Sequence, residues 1–148
     1  MTLENDPPAP STVAFEVNTI GTFYTAKLAQ LYFMMPGSTP TSEPKSLILI
    51  ASLAAYFDIP VMSSYTGSKF GVRGIFRNIR PLFADRGMRV NLMAPWIVDT
   101  PLVVDWVAMF KAVGAPVGDI EQAYRLAMKL ADDSSINGKS PVVMLFTS

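Results

Sequence analysis

SSYTGSKFG, residues 63–71, sets a tyrosine and a lysine four residues apart in a segment that otherwise reads as a helix, with Gly67, Gly71 and Gly74 along it. Each glycine inside a helix costs about 1 kcal/mol relative to alanine, so some close approach must compensate. A four-residue separation puts Tyr65 and Lys69 on one helix face. An ammonium beside a phenol favours the phenolate. Such a phenol can pass a proton to or from a carbonyl or hydroxyl oxygen. The same spacing also arises by chance in many helices, where a core tyrosine simply neighbours a solvated lysine.

Working outward, the helix starts near Ser63 or Ser64 and runs to about Arg80, where Pro81 is expected to kink or end it. Before it, LILIA at 47–51 is a short continuous apolar run, the pattern of a fully buried strand. Ser52 follows directly, thirteen residues ahead of Tyr65. Ligands of open α/β sheets sit at the carboxyl ends of the strands, which makes Ser52 a candidate, although serines commonly end strands. Further upstream, Ser11 or Thr12 can cap a helix. Val13, Val17, Ile20, Tyr24, Leu28, Leu31 and Met35 form one apolar face on it, and Pro36-Gly37 ends it. Asn18 and Gly21 are poor helix formers in its middle. A polar side chain there can bond the backbone and bend the helix; a partly exposed position gives the same pattern. Residues 36–46 read as a polar loop.

Downstream, Gly87 marks a turn and MRVNLMA (88–94) a second buried strand stopped by Pro95. Helices are expected over 102–112 and 119–132, the latter capped by Asp119. Asn137-Gly138 is a turn, and PVVMLF (141–146) is a third strand. This alternation implies a parallel sheet with covering helices. The division expected is a flexible arm over 1–10 and one domain over 11–148.

Of the 148 residues, 50% are hydrophobic and only 16% charged, against about 25% charged in an ordinary soluble domain. The chain is short of polar surface, as expected of an oligomer or of part of something larger. Net charge is zero with no basic block, which argues against nucleic acid and anionic membrane as partners. Cysteine and histidine are absent, which excludes disulfides, thiol nucleophiles, serine–histidine catalysis and most transition-metal sites. No apolar run reaches spanning length. MTLENDPPAP at the start is acidic and proline-rich, unlike a signal peptide. A soluble, cytoplasmic protein is the expectation.

Together, Asn18, Ser52, Tyr65 and Lys69 resemble the catalytic tetrad of the short-chain dehydrogenase/reductase family. The matching stretches are VNTIG around Asn18, ILIAS ending at Ser52, and S-x12-Y-x3-K from Ser52 to Lys69. RVNLMAP (89–95) is similar to the strand after the catalytic helix, PWIVDT (95–100) to the segment beside the nicotinamide, and ING (136–138) to the turn before the last strand. The resemblance implies that Tyr65 is the acid/base. It implies that Lys69 assists Tyr65 and holds the nicotinamide ribose, that Ser52 polarises the substrate oxygen, and that Asn18 supports a relay water. It places Thr100 near the carboxamide of any bound nicotinamide. It also implies dimers built on the helices carrying Asn18 and Tyr65, so the glycine face is expected to pack closely, within the subunit or across a homodimer.

The family begins with a strand, a glycine-rich turn and a helix that binds the dinucleotide pyrophosphate. No G-x-x-x-G-x-G occurs here, so the likeness is to the latter half of the fold. The fold class expected is α/β, a truncated Rossmann-like domain: half of a doubly wound parallel sheet, about three strands, with the first strand an exposed apolar edge. Trp96 stands where the family usually has glycine and is expected to crowd the nicotinamide or pack outward. The missing cradle favours acid/base proton transfer without redox chemistry. The reactions would be isomerisation, dehydration or cyclisation of a small, oxygenated, largely apolar substrate, with no cofactor in the isolated chain. Trp96, Trp106, Met109 and Phe110 are candidate pocket walls. The alternatives are an NAD- or NADP-dependent oxidoreductase whose cofactor half is supplied elsewhere or lost, and a non-catalytic relic that dimerises, through its glycine-faced helices or its strand edge.

Overall fold

The computed structural model describes residues 9–36, 44–60 and 62–143. Most of the expected arm, Gly37 with the bulk of the polar loop, and the last residues of the third strand lie outside them. Strands Ser46–Ile50 (β1), Arg89–Pro95 (β2) and Val142–Val143 (β3) form a parallel sheet in the order β1-β2-β3. Ser46 pairs with Arg89, Ile50 with Met93 and Ala94 with Val142. Helices Gly21–Met34 (α1), Ser63–Ala84 (α2), Val104–Ala112 (α3) and Ile120–Asp132 (α4) accompany it.

Alternation along the strands sorts the core into two layers. Leu49, Val90, Leu92 and Ala94 pack with Val72, Phe76 and Phe83 of α2. On the other face Met93 meets Leu130 of α4, with Ile48, Leu126 and Ile136 around them. β2 is central and buried from Arg89 to Ala94. β1 is less covered than its apolar run suggested. Only Leu49 is buried and Ile50 is 47% exposed, because β1 stands at the sheet edge among the described residues.

Three further expectations need correction. First, α2 does not stop at Pro81: it continues to Ala84. Proline deletes one backbone donor near the helix end, and the last turn is held by burial of Phe83 at 1% exposure and by Asp85 N–H donating to Pro81 O at 3.0 Å. Gly87, with φ of +66°, then reverses the chain. Second, the Thr12 hydroxyl does not cap backbone N–H groups. It donates to Glu16 Oε1 at 2.6 Å, and the Thr12 carbonyl accepts the first helical bonds.

Third, the helix around Asn18 opens with a π turn, Phe15–Ile20, where Gly21 N–H reaches back five residues to Glu16 O. The residues of its apolar face, Val13, Val17, Ile20, Tyr24, Leu28, Leu31 and Met35, are all exposed, from 47% at Leu31 to 66% at Val17, so the chain itself does not cover that face among the described residues. The inward line is shorter in side chain: Ala26 is buried, and Ala29 and Phe33 are half-buried.

The glycine puzzle resolves inside the chain. A Cβ on Gly67 would stand 2.9 Å from the Phe15 ring, and one on Gly71 would stand 2.7 Å from Thr19 Cγ2. Gly67 and Gly71 thus admit the π turn, whereas a Cβ on Gly74, the third glycine of α2, would meet nothing within 4 Å among the described residues. Gly71→Ala is expected to destabilise. The helix gain of about 1 kcal/mol is outweighed by overpacking of about 1–3 kcal/mol, because Thr19 is β-branched and its hydroxyl is held by Ser68 O at 2.9 Å. Gly74→Ala is expected to stabilise instead. Urea midpoints moving in the same direction for both variants would refute this assignment.

Candidate active site

The candidate residues sit at the carboxyl ends of β1 and β2, where the first turns of α2 pass. Lys69 Nζ donates to Ile50 O at 3.3 Å, so the lysine is tied to the last residue of β1. It also lies 5.7 Å from the centroid of the Tyr65 ring. The Tyr65 hydroxyl makes no hydrogen bond among the described residues, which leaves it for a ligand. Burial pushes the Lys69 ammonium below its usual value. Its support of a phenolate therefore fades at a lower pH than that of a solvated lysine.

The sign of this shift gives a stability test. Between the lowered folded value and the unfolded value near 10.5, the unfolded chain binds more protons, so wild-type stability rises with pH there. The ammonium's burial penalty is fully present at lower pH. Relative to Lys69→Met, the wild type is expected to gain stability as pH approaches 10.5, as read from urea midpoints. A gap that is constant with pH would contradict the assignment.

Asn18 does not bond its own helix. Its Nδ2 donates to Ser68 Oγ at 2.9 Å, and the Ser68 hydroxyl donates to Tyr65 O at 2.7 Å. The π turn is thereby locked to the backbone beneath Tyr65. Ser68, 0% exposed, is a residue that sequence reasoning missed. Its signal was available: a small polar residue between the two candidates, inside a helix, directly after Gly67.

Ser52 has a structural duty. Its Oγ accepts from Ala54 N–H at 3.1 Å, which caps a short 3-10 turn over Leu53–Ala55. Its hydroxyl points at Pro95 O across a weak 3.4 Å. A substrate oxygen can compete for that proton at little cost. Thr100 opens a 3-10 turn over Pro101–Val103. No hydrogen bond links Ser52 or Thr100 to Tyr65 or Lys69 among the described residues. Trp96 is tethered: its Nε1–H donates to Pro116 O at 3.0 Å, and its ring meets Phe110 edge-on at 5.4 Å. Trp106 and Met109 are 42% and 50% exposed.

A parallel sheet with covering helices, and a tyrosine and lysine on the helix that follows β1 and Ser52, is a Rossmann-like arrangement. The short chain dehydrogenase model matches residues 5–110, and the chain belongs to that family. It is 45% identical over 133 residues to the 5'-hydroxyaverantin dehydrogenase of Dothistroma septosporum, a match covering 88% of this chain and 42% of that protein. It is also 45% identical over 106 residues to 5'-hydroxyaverantin dehydrogenase stcG of Emericella nidulans, covering 68% of this chain and 35% of that one. Among solved structures, 3-hydroxyacyl-CoA dehydrogenase type-2 from Mycobacterium avium superposes with a TM-score of 0.75 at 26% identity, over 92% of this chain and 56% of that one. A 4-hydroxyisoleucine dehydrogenase complexed with NADH shares the fold, with a TM-score of 0.66 at 20% identity over 87% of this chain and 55% of that one. The chain thus spans less than half the length of the two 5'-hydroxyaverantin dehydrogenases. Both are named as dehydrogenases, which lends the expected non-redox chemistry no support.

The residues fit one end of NAD or NADP. Lys69 Nζ makes one long hydrogen bond, which leaves N–H donors for ribose hydroxyls, and the Trp96 indole is held by Pro116 and Phe110. The 148 residues contain no glycine-rich pyrophosphate turn. No group of three or more metal-ligating side chains occurs among the described residues, and no helix among them is long and apolar enough to cross a membrane.

Proposed function

We propose that this chain carries the acid/base half of a nicotinamide-dependent alcohol dehydrogenation or ketone reduction. The substrate would be a largely apolar, oxygenated molecule of the class for which the 5'-hydroxyaverantin dehydrogenases are named. The observation that carries this is the free Tyr65 hydroxyl beside a lysine anchored to the end of β1. Tyr65 takes the proton from the substrate hydroxyl, or returns it to the carbonyl oxygen. Lys69 supports the phenolate and holds ribose hydroxyls, with Thr100 toward the carboxamide. Ser52 turns its proton from Pro95 O to the substrate oxygen. Asn18, through Ser68, fixes the backbone under Tyr65. When bound, NAD or NADP supplies the hydride acceptor or donor.

Nicotinamide fluorescence, titrated with NADH and NADPH into the purified chain, tests this reading. Saturable binding that weakens in Lys69→Met is expected; binding equally tight in Lys69→Met would remove Lys69 from the ribose. A second reading is isomerisation, dehydration or cyclisation by the same side chains, since a phenol and a lysine can move protons at an oxygen without a hydride carrier. Tyr65-dependent turnover without nicotinamide would establish it. The homodimer also stands as part of this proposal, supported by the exposed apolar side chains Val17, Ile20, Tyr24, Leu28 and Leu31 on one helix. A monomeric mass by sedimentation would exclude it.

A further inference from the structure

Beyond Lys69, α2 carries Arg73, Arg77 and Arg80, at spacings of four and three that keep them on one side of the helix. With Tyr56, Phe76 and Ser140 these three arginines line a cleft of about 350 Å³. Neither Tyr65 nor Lys69 belongs to its lining. Arg73 is fixed: its guanidinium lies 4.1 Å from the centroid of the Tyr56 ring and donates from Nη1 to Ala55 O at 3.0 Å. Arg80 lies 5.9 Å from the centroid of the Phe76 ring. The Tyr56 and Ser140 hydroxyls hydrogen-bond each other on the lining.

Among the described residues, no carboxylate lines this cleft. The ion pairs among the described residues, Lys111–Asp99 and Arg125–Glu121, lie elsewhere, and Arg77 has no hydrogen-bond partner among them. Half of the chain's six arginines therefore surround one concavity with no carboxylate partner among the described residues. Like charges gathered this way repel; ring contacts relieve part of this at Arg73 and Arg80, and none among the described residues offsets the charge of Arg77, which is exposed. An anion in the cleft would supply that offset. Guanidinium forks match the oxygen pairs of phosphate and give short, charge-assisted bonds. The two hydroxyls add neutral donors, and the Tyr56 and Phe76 rings offer apolar wall for an organic group.

We propose that the Arg73–Arg77–Arg80 cleft is a binding site for a phosphate-type oxyanion, separate from the Tyr65–Lys69 site. The test is ³¹P NMR titration and thermal denaturation of the whole chain with inorganic phosphate and with phenyl phosphate, at an ionic strength held constant with sodium chloride. Saturable binding of either probe is expected, with a raised melting midpoint and at least about tenfold weaker binding in Arg77→Gln/Arg80→Gln. Tighter binding of phenyl phosphate would identify a phosphomonoester as the ligand; equal or tighter binding of inorganic phosphate would identify the free ion. No saturation beyond the chloride control would overturn the site, as would unchanged affinity in the double variant. Should the double variant fail to fold, Arg77→Gln alone decides between the same outcomes, because Arg77 is exposed and makes no internal bond among the described residues.

Discussion

Tyr65→Phe is expected to lower turnover of an alcohol or carbonyl substrate by about 10²- to 10⁴-fold, the usual contribution of a positioned acid/base group. At 1.36 kcal/mol per decade this is about 3–5 kcal/mol of barrier. Stability should scarcely move. The ring that packs near Lys69 is retained, and the deleted hydroxyl makes no hydrogen bond among the described residues. That separation of effects gives the prediction its force, because a loss of rate with an unchanged urea midpoint cannot be blamed on unfolding. Substrate binding, read as KM, should change less than kcat, since a proton in flight matters most in the transition state. Turnover in Tyr65→Phe within a factor of two of wild type would end the assignment of Tyr65, and with it both chemical readings of the site.

The sheet was legible because its strands are short, apolar and branched. LILIA and MRVNLMA have few other ways to hide, and both pair in parallel with a helix between them. The Tyr65–Lys69 relation followed from helical spacing alone. Ser52 and Asn18 were legible as positions and less so as roles: each spends its polar group on a capped turn or on Ser68 before any ligand arrives. The first helix misled because its strongest periodicity belongs to the outside. Periodicity reports that apolar residues share a face, not that the chain itself covers that face, and here small inward residues and a π turn bring the backbone close to α2. Pro81 was over-read because tertiary burial of Phe83 outweighs one lost donor near a helix end. The dehydrogenases that match most of the chain lend support to hydride chemistry on these same side chains.

Arg89→Leu is expected to be the most destabilising single change, costing about 3 kcal/mol or more, a large part of the roughly 5–15 kcal/mol that holds a domain together. Arg89 is 4% exposed on the central strand, a position where an unpaired charge would ordinarily be excluded. Its partners are backbone carbonyls. Nη1 donates to Leu130 O at 2.9 Å, Asp133 O at 3.1 Å and Ile136 O at 3.2 Å, and Nη2 donates to Ala131 O at 2.7 Å. The last turn of α4 leaves carbonyls without intrahelical donors at the negative end of the helix dipole, and the guanidinium satisfies them from beneath. Leucine would spare the cost of burying a charge but strand these carbonyls against an apolar core. Lysine keeps the charge and loses the fork, so Arg89→Lys should fall between. Because the bonds converge on one helix end, α4 should loosen first: hydrogen exchange of its amides should accelerate more than exchange in β2. A variant within 1 kcal/mol of wild type, with α4 protection intact, would mean that water can replace the guanidinium at that helix end and that the layer on this face of the sheet is held by Met93 and Leu130 alone.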